Sequence, residues 1–83
     1  MDPRVAIAML RLSPAQRTVV DPMLALFGQW VTTAELEGKF AAPLGTNGLN
    51  ALLWGLRKRL SSVGLTVEAA WGQRRLVWKQ QAV

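Results

Sequence analysis

Thr46-Asn47-Gly48-Leu49-Asn50-Ala51-Leu52-Leu53-Trp54-Gly55-Leu56-Arg57-Lys58-Arg59-Leu60 is the stretch whose reading decides the fold. Leu49, Leu53, Leu56 and Leu60 recur at spacings of four, three and four. At about 100° per residue they fall within about 60° of one another, a narrow apolar stripe on a helix. The opposite face carries Asn47, Ala51, Trp54 and Lys58. Thr46 is the expected N-cap, and the spacing predicts a helix over residues 46–62.

Working back from it, the loop Ala42-Pro43-Leu44-Gly45 separates this helix from a shorter one. Thr32-Thr33-Ala34-Glu35 reads as a capping box, with Val31 and Leu36 as the hydrophobic staple around it. That predicts a helix over residues 32–41, ended ahead of Pro43. Earlier still, Ser13-Pro14-Ala15-Gln16 is a second capping box with proline at the first helical position. The helix expected over residues 13–28 shows an apolar face of Val19, Val20, Met23, Leu26 and Phe27 and stops at Gly28. Pro22 lies inside it and should kink it or split it, with Asp21 as a fresh cap. The first segment, residues 1–12, reads two ways. Asp2-Pro3 looks like a helix start, whereas Val5, Ile7 and Met9 alternate like a strand; the strand is preferred.

Working forward, Leu65-Thr66-Val67-Glu68-Ala69 is extended in character, Trp71-Gly72-Gln73 forms a turn, and Arg74-Arg75-Leu76-Val77-Trp78-Lys79 returns. Residues 65–79 are therefore a hairpin. The predicted fold is α+β: three helices, a C-terminal β-hairpin wing and a short N-terminal strand, in one domain spanning residues 1–83. This is the order of a winged helix-turn-helix.

Composition narrows the function. The 83 residues contain no Cys and no His, which argues against disulfides, zinc and imidazole general bases. The five acids are Asp2, Asp21, Glu35, Glu37 and Glu68, and they are scattered. No phosphate loop, dinucleotide fingerprint or nucleophile motif is present, so neither catalysis nor a cofactor is expected. The apolar run at residues 5–10 is too short for a signal peptide core or a bilayer span, which points to a cytoplasmic protein with no membrane partner. The net charge of +5 is unevenly placed. Residues 1–46 hold four cations against four acids, whereas residues 47–83 hold Arg57, Lys58, Arg59, Arg74, Arg75 and Lys79 against Glu68 alone. Such asymmetry suits a face that binds a polyanion.

Four motifs, in order, resemble the OmpR/PhoB-type winged-helix effector domain. Leu12-Ser13-Pro14-Ala15-Gln16 is similar to its L-T-P-x-E opening, and Val31-Thr32-Thr33-Ala34-Glu35-Leu36 to its V-S-x-x-E-L helix start. Leu56-Arg57-Lys58-Arg59-Leu60 is similar to the L-R-K-K-L that ends its recognition helix, and Gly72-Gln73-Arg74-Arg75-Leu76 to the G-Y-R-L that closes its wing. The resemblance implies strands ahead of the first motif, which is why a strand is preferred for the N-terminal segment. It also implies a DNA-binding regulator of transcription. The chain departs from the pattern: Asn47, Asn50, Leu52, Trp54 and Gly55 stand where Arg and His are usual, Ala69 and Ala70 occupy the wing loop, Gln73 replaces an aromatic, and no receiver domain is expected beside it.

These readings set expectations for a site. With double-stranded DNA as partner, Thr46, Asn47, Asn50 and Trp54 would face the major groove, while Arg57, Lys58, Arg74 and Arg75 would grip phosphates. Asn pairs bidentately with adenine, although Asn47 could equally cap the helix. Trp54 lies opposite the core stripe. It is either covered by the wing or the N-terminal segment, or it anchors a partner. In the second case the chain is a winged-helix adaptor, or a phage or mobile-element regulator, that binds a protein of the transcription machinery through Ala51, Trp54 and Lys58. A homodimer is compatible with either role. Trp30, Trp71 and Trp78 read as core or edge-covering aromatics.

Overall fold

A computed structural model describes residues 2–79; Met1, the start of the expected N-terminal segment, and residues 80–83 lie outside it. The described chain forms α1 (Pro3–Ala8), α2 (Pro14–Ala25), β1 (Val31–Thr32), α3 (Thr33–Glu37), α4 (Gly45–Ser61), β2 (Leu65–Ala70) and β3 (Gln73–Trp78). The protein is thus α+β, with helices on an antiparallel sheet of order β1-β3-β2.

The leucine stripe organises the core. Leu49, Leu53, Leu56 and Leu60 are the buried residues of α4. They join Val19, Val20 and Met23 from α2, Leu36 from α3, Val31 from β1, and Leu65, Val67 and Leu76 from the hairpin in one apolar cluster. No polar or charged residue is buried among the described residues. The core is held by apolar burial and shape alone, so its deletions are costly.

The N-terminal segment is a helix, and the preferred strand is corrected. The Asp2 carboxylate accepts the Arg4 amide at 2.9 Å, and proline opens the first turn. Helical spacing buries Ala6 and Ile7 together, whereas Val5 and Met9, which alternation would place beside Ile7, stay exposed. A lone strand would have left its amides without a partner; the helix satisfies them internally.

The Ser13 box forms in full. Ser13 Oγ accepts the Gln16 amide at 3.1 Å, and Gln16 Oε1 accepts the Ser13 amide at 2.9 Å. The expected split at Pro22 does not occur, and Asp21 caps nothing: α2 runs unbroken to Ala25. Proline forfeits a single backbone bond there, and the buried residues Val19, Val20 and Met23 on both sides of it hold the two turns to one surface. The helix ends three residues before Gly28. That glycine then takes φ +82, a left-handed turn open to Gly, and donates its amide to Leu76 O at 2.9 Å, which leads the chain into the sheet.

At α3 only half of the expected capping box is made. Thr32 Oγ1 accepts the Glu35 amide at 3.1 Å, but the exposed Glu35 carboxylate, well solvated, returns no bond. Val31 and Leu36, the staple, are both buried. The helix stops at Glu37 rather than 41. The amides of Lys39 and Phe40 reach back only three residues, so the chain tightens out of the α form after Gly38. Thr32→Ala should lower stability by about 1 kcal/mol in urea unfolding, because an orphan helix amide loses its acceptor. An unchanged midpoint would show that water replaces the hydroxyl at no cost.

Entry to α4 also differs from expectation. Neither Thr46 nor Asn47 caps the helix: Leu44 holds the cap position without a side-chain bond, and Gly45 turns the chain at φ +71. The backbone makes the corner that a hydroxyl was expected to make. At the other end Gly64, at φ +82, returns the chain as β2. The hairpin pairs Leu65 with Trp78 through Ala70 with Gln73, so the turn is the two residues Trp71-Gly72 and the return strand begins at Gln73. Pairing of Val31 with Arg74 and Thr32 with Gln73 adds β1, a strand too short for periodicity to reveal.

Candidate nucleic-acid interface

With its leucines inward, α4 turns Asn47, Asn50, Ala51, Trp54 and Lys58 to solvent. The hairpin lies along one flank of this face, and two side chains fix it there. Arg57 Nε donates to Val67 O at 3.0 Å, and Arg74 Nη2 donates to Asn50 Oδ1 at 3.2 Å. A seam between helix and hairpin results, with an open cleft at each end. The upper cleft, about 420 Å³, lies between the N-terminal turns of α4 and the hairpin turn and is lined by Thr33, Glu37, Thr46, Asn50, Trp71 and Arg74 among others. The lower, about 500 Å³, is lined by Trp54, Arg57, Lys58, Ser61, Thr66 and Lys79 with Leu65.

The charge of the second half is concentrated on this seam. The sole ion pair among the described residues is Arg75 with Glu68, its cross-strand partner in the hairpin. Arg59 Nη1 donates to Arg11 O at 2.9 Å and so holds the N-terminal segment instead. Arg57, Lys58, Arg74 and Lys79 therefore face the two clefts with no carboxylate bound, and Glu37 in the upper cleft is the one acid lining either. Partly dehydrated walls of one sign concentrate the field along such a groove.

Most of the residues singled out in the sequence are brought together here. Thr46, Asn47, Asn50, Ala51, Trp54, Arg57, Lys58 and Arg74 all lie on α4 or the seam. Arg57 is more constrained than expected, since its Nε is occupied by the hairpin backbone. Arg74 is likewise tied, with Nη1 donating to Ala70 O and Gln73 O at 3.0 and 2.7 Å. Arg75 does not belong to the site. Strand alternation puts it on the sheet face away from Arg74, where it pairs with Glu68 and stacks on the Trp30 ring at 4.5 Å. Its charge is paired and one face of its guanidinium rests on the indole.

The tryptophans separate into distinct roles. Trp78 packs edge-on against Phe27 at 6.1 Å beside the core. Trp54 is 61% exposed, so neither the hairpin nor the N-terminal segment covers it; only the Lys58 ammonium sits over its ring, at 5.2 Å. Trp71 is wholly exposed at the hairpin turn and covers no edge, contrary to its reading as a core aromatic. The sequence reading also missed Lys79, Ser61 and Thr66 as site residues. Lys79 was visible as charge, but its position depends on the pairing of Leu65 with Trp78, which brings the end of β3 beside the last turn of α4.

No helix of the described residues is long and apolar enough to cross a membrane, and no three His, Cys, Asp or Glu residues converge among them. The chain matches no protein-family model, no curated protein and no solved structure.

Proposed function

We propose that the protein is a winged helix-turn-helix that binds double-stranded DNA as a regulator of transcription in the cytoplasm. In this reading α4 enters the major groove and the hairpin is the wing along the backbone. Three features of the fold support it: helices preceding a hairpin, the last helix, α4, exposed on one face, and a short strand pairing with β3. The observation that carries the reading is the set of four cations on the seam, Arg57, Lys58, Arg74 and Lys79, with no bound carboxylate. Phosphates are the ligand that such a row suits, and they position a protein without reading sequence. Reading falls to Asn47 and Asn50. Arg74, by donating to Asn50 Oδ1, orients that amide; its NH₂ is left to donate to adenine N7, and the second lone pair of Oδ1 to accept from the N6 amino group.

Salt titration of binding to mixed-sequence duplex DNA tests this. The log–log slope should approach that of four phosphate contacts, each releasing about 0.9 counterion. Lys58→Ala and Lys79→Ala should each flatten the slope by about one unit, whereas Arg75→Ala should leave it unchanged. Equal effects at Arg75 and Lys79 would dismiss the seam as the phosphate track.

One observation favours a second reading. An indole as exposed as Trp54, next to Ala51 on an outward helix face, also suits an anchor for a protein of the transcription machinery.

A further inference from the structure

We propose that Trp71 is a wedge that stacks into a base step of the duplex lying on α4. The inference rests on the DNA-binding reading above and assigns to the hairpin tip a role that phosphate contacts do not cover.

The side chain is unexplained by the fold. Trp71 is wholly exposed, while Trp30 and Trp54 each keep part of their surface covered. Leaving an indole entirely in water forgoes the largest apolar gain that any side chain offers. The turn does not require it either. The left-handed position falls on Gly72 at φ +68, so residue 71 needs only ordinary backbone angles, and a small polar residue would meet them.

The tip is nevertheless held firmly. Gly72 O accepts the Thr33 amide at 2.9 Å, which ties the turn to the start of α3. A single guanidinium, that of Arg74, spans the turn by donating to Ala70 O and Gln73 O, and the same group reaches Asn50 on α4. The indole is therefore presented from a braced loop, and little ordering is left to be done on binding. A hairpin tip meant only to shed water needs no such bracing.

Position and charge select the occupant. Trp71 and the N-terminal turns of α4 wall the same cleft, so a duplex that meets Asn50 with its base edges has the tip beside it. Ala69, Ala70, Trp71 and Gly72 carry no charge to set against a phosphate. A planar apolar ring suits the π-face of a base, and Arg74 at the root of the turn is placed for the phosphate flanking that base. Apolar side chains that minor-groove binders insert between base steps unstack them and kink the duplex by about 20–90°, and the same is expected of an indole at the wing tip.

The experiment uses short mixed-sequence duplexes with a dye at each end, with energy transfer reporting bending and titration reporting affinity at low salt. The intact protein and Trp71→Phe should both bend the DNA. Trp71→Ala should bind about 5- to 100-fold more weakly and leave the duplex straight, since base–aromatic stacking carries that share of affinity. Its salt slope should not change, because no charge is lost, and its melting temperature should match that of the intact protein. Undiminished affinity and bending in Trp71→Ala would overturn the wedge while leaving DNA binding in place. Weaker binding with bending retained would also overturn it, reducing Trp71 to a surface contact. A lower melting temperature would do the same by making the residue structural. Failure of the intact protein to bind any duplex would instead remove the DNA-binding reading, and the wedge with it.

Discussion

Leu56→Ala should lower the unfolding free energy by about 2–5 kcal/mol, the usual cost of emptying a leucine site that cannot collapse. Leu56 is fully buried and lies between Leu53 and Leu60 on the stripe that joins α4 to α2 and the hairpin. No polar group is buried among the described residues to reorganise around the cavity, and neighbours such as Leu49 and Leu65 are themselves closely enclosed. A domain of 83 residues has about 4–12 kcal/mol of stability in all, so this one change should consume a large share of it. Leu52→Ala is the internal control. Leu52 sits on the same helix but is only partly buried, and its loss should be clearly smaller. Urea unfolding of both variants measures the difference. Equal losses at positions 52 and 56 would mean that the stripe is not the organising contact of the core.

The stripe shows why much of this fold was legible in the sequence. Burial at Leu49, Leu53, Leu56 and Leu60 follows from helical spacing, a property of a few consecutive turns. The Ser13 box is equally local and forms as expected. What resisted reading depends on tertiary company. The N-terminal segment presents a strand-like alternation, yet a carboxylate cap and the joint burial of Ala6 and Ile7 make it helical. β1 is two residues long and exists only because β3 lies beside it. Charge told that the second half is basic without telling which way each cation faces. Arg75 and Arg59 are adjacent in sequence to Arg74 and Lys58, but one is bound to Glu68 and the other to the Arg11 carbonyl. Only register and packing set Arg57, Lys58, Arg74 and Lys79 on the seam and turn Arg59 and Arg75 away from it. Trp71 was misread for a related reason: composition assigns a large aromatic to the core, and only the two-residue turn shows it standing in water.

The same distinction supplies the sharpest test of what the seam binds, through two neighbours on one helix turn. Lys58 lies over the exposed ring of Trp54, so both can be changed without disturbing the core. Each free variant should melt close to the intact protein, apart from about 0.5–1 kcal/mol for the exposed cation–π contact. With DNA on the seam, affinity comes chiefly from phosphate contacts. Lys58→Glu then removes one cation and sets a carboxylate against the polyanion, and like charges so placed cost several kcal/mol of binding. Trp54→Ala should matter much less, because the row of cations survives it. With a protein on the seam the order reverses. An exposed indole that becomes buried in a partner behaves as an anchor, and Trp54→Ala should then cost about 2 kcal/mol or more of that complex, whereas a rim lysine mainly alters the association rate. The expected result is the first order, measured on duplex DNA at fixed salt: a severe loss for Lys58→Glu and a modest one for Trp54→Ala. The opposite ranking would transfer the site to the adaptor reading. It would make Trp54, rather than the row of cations, the centre of the interface.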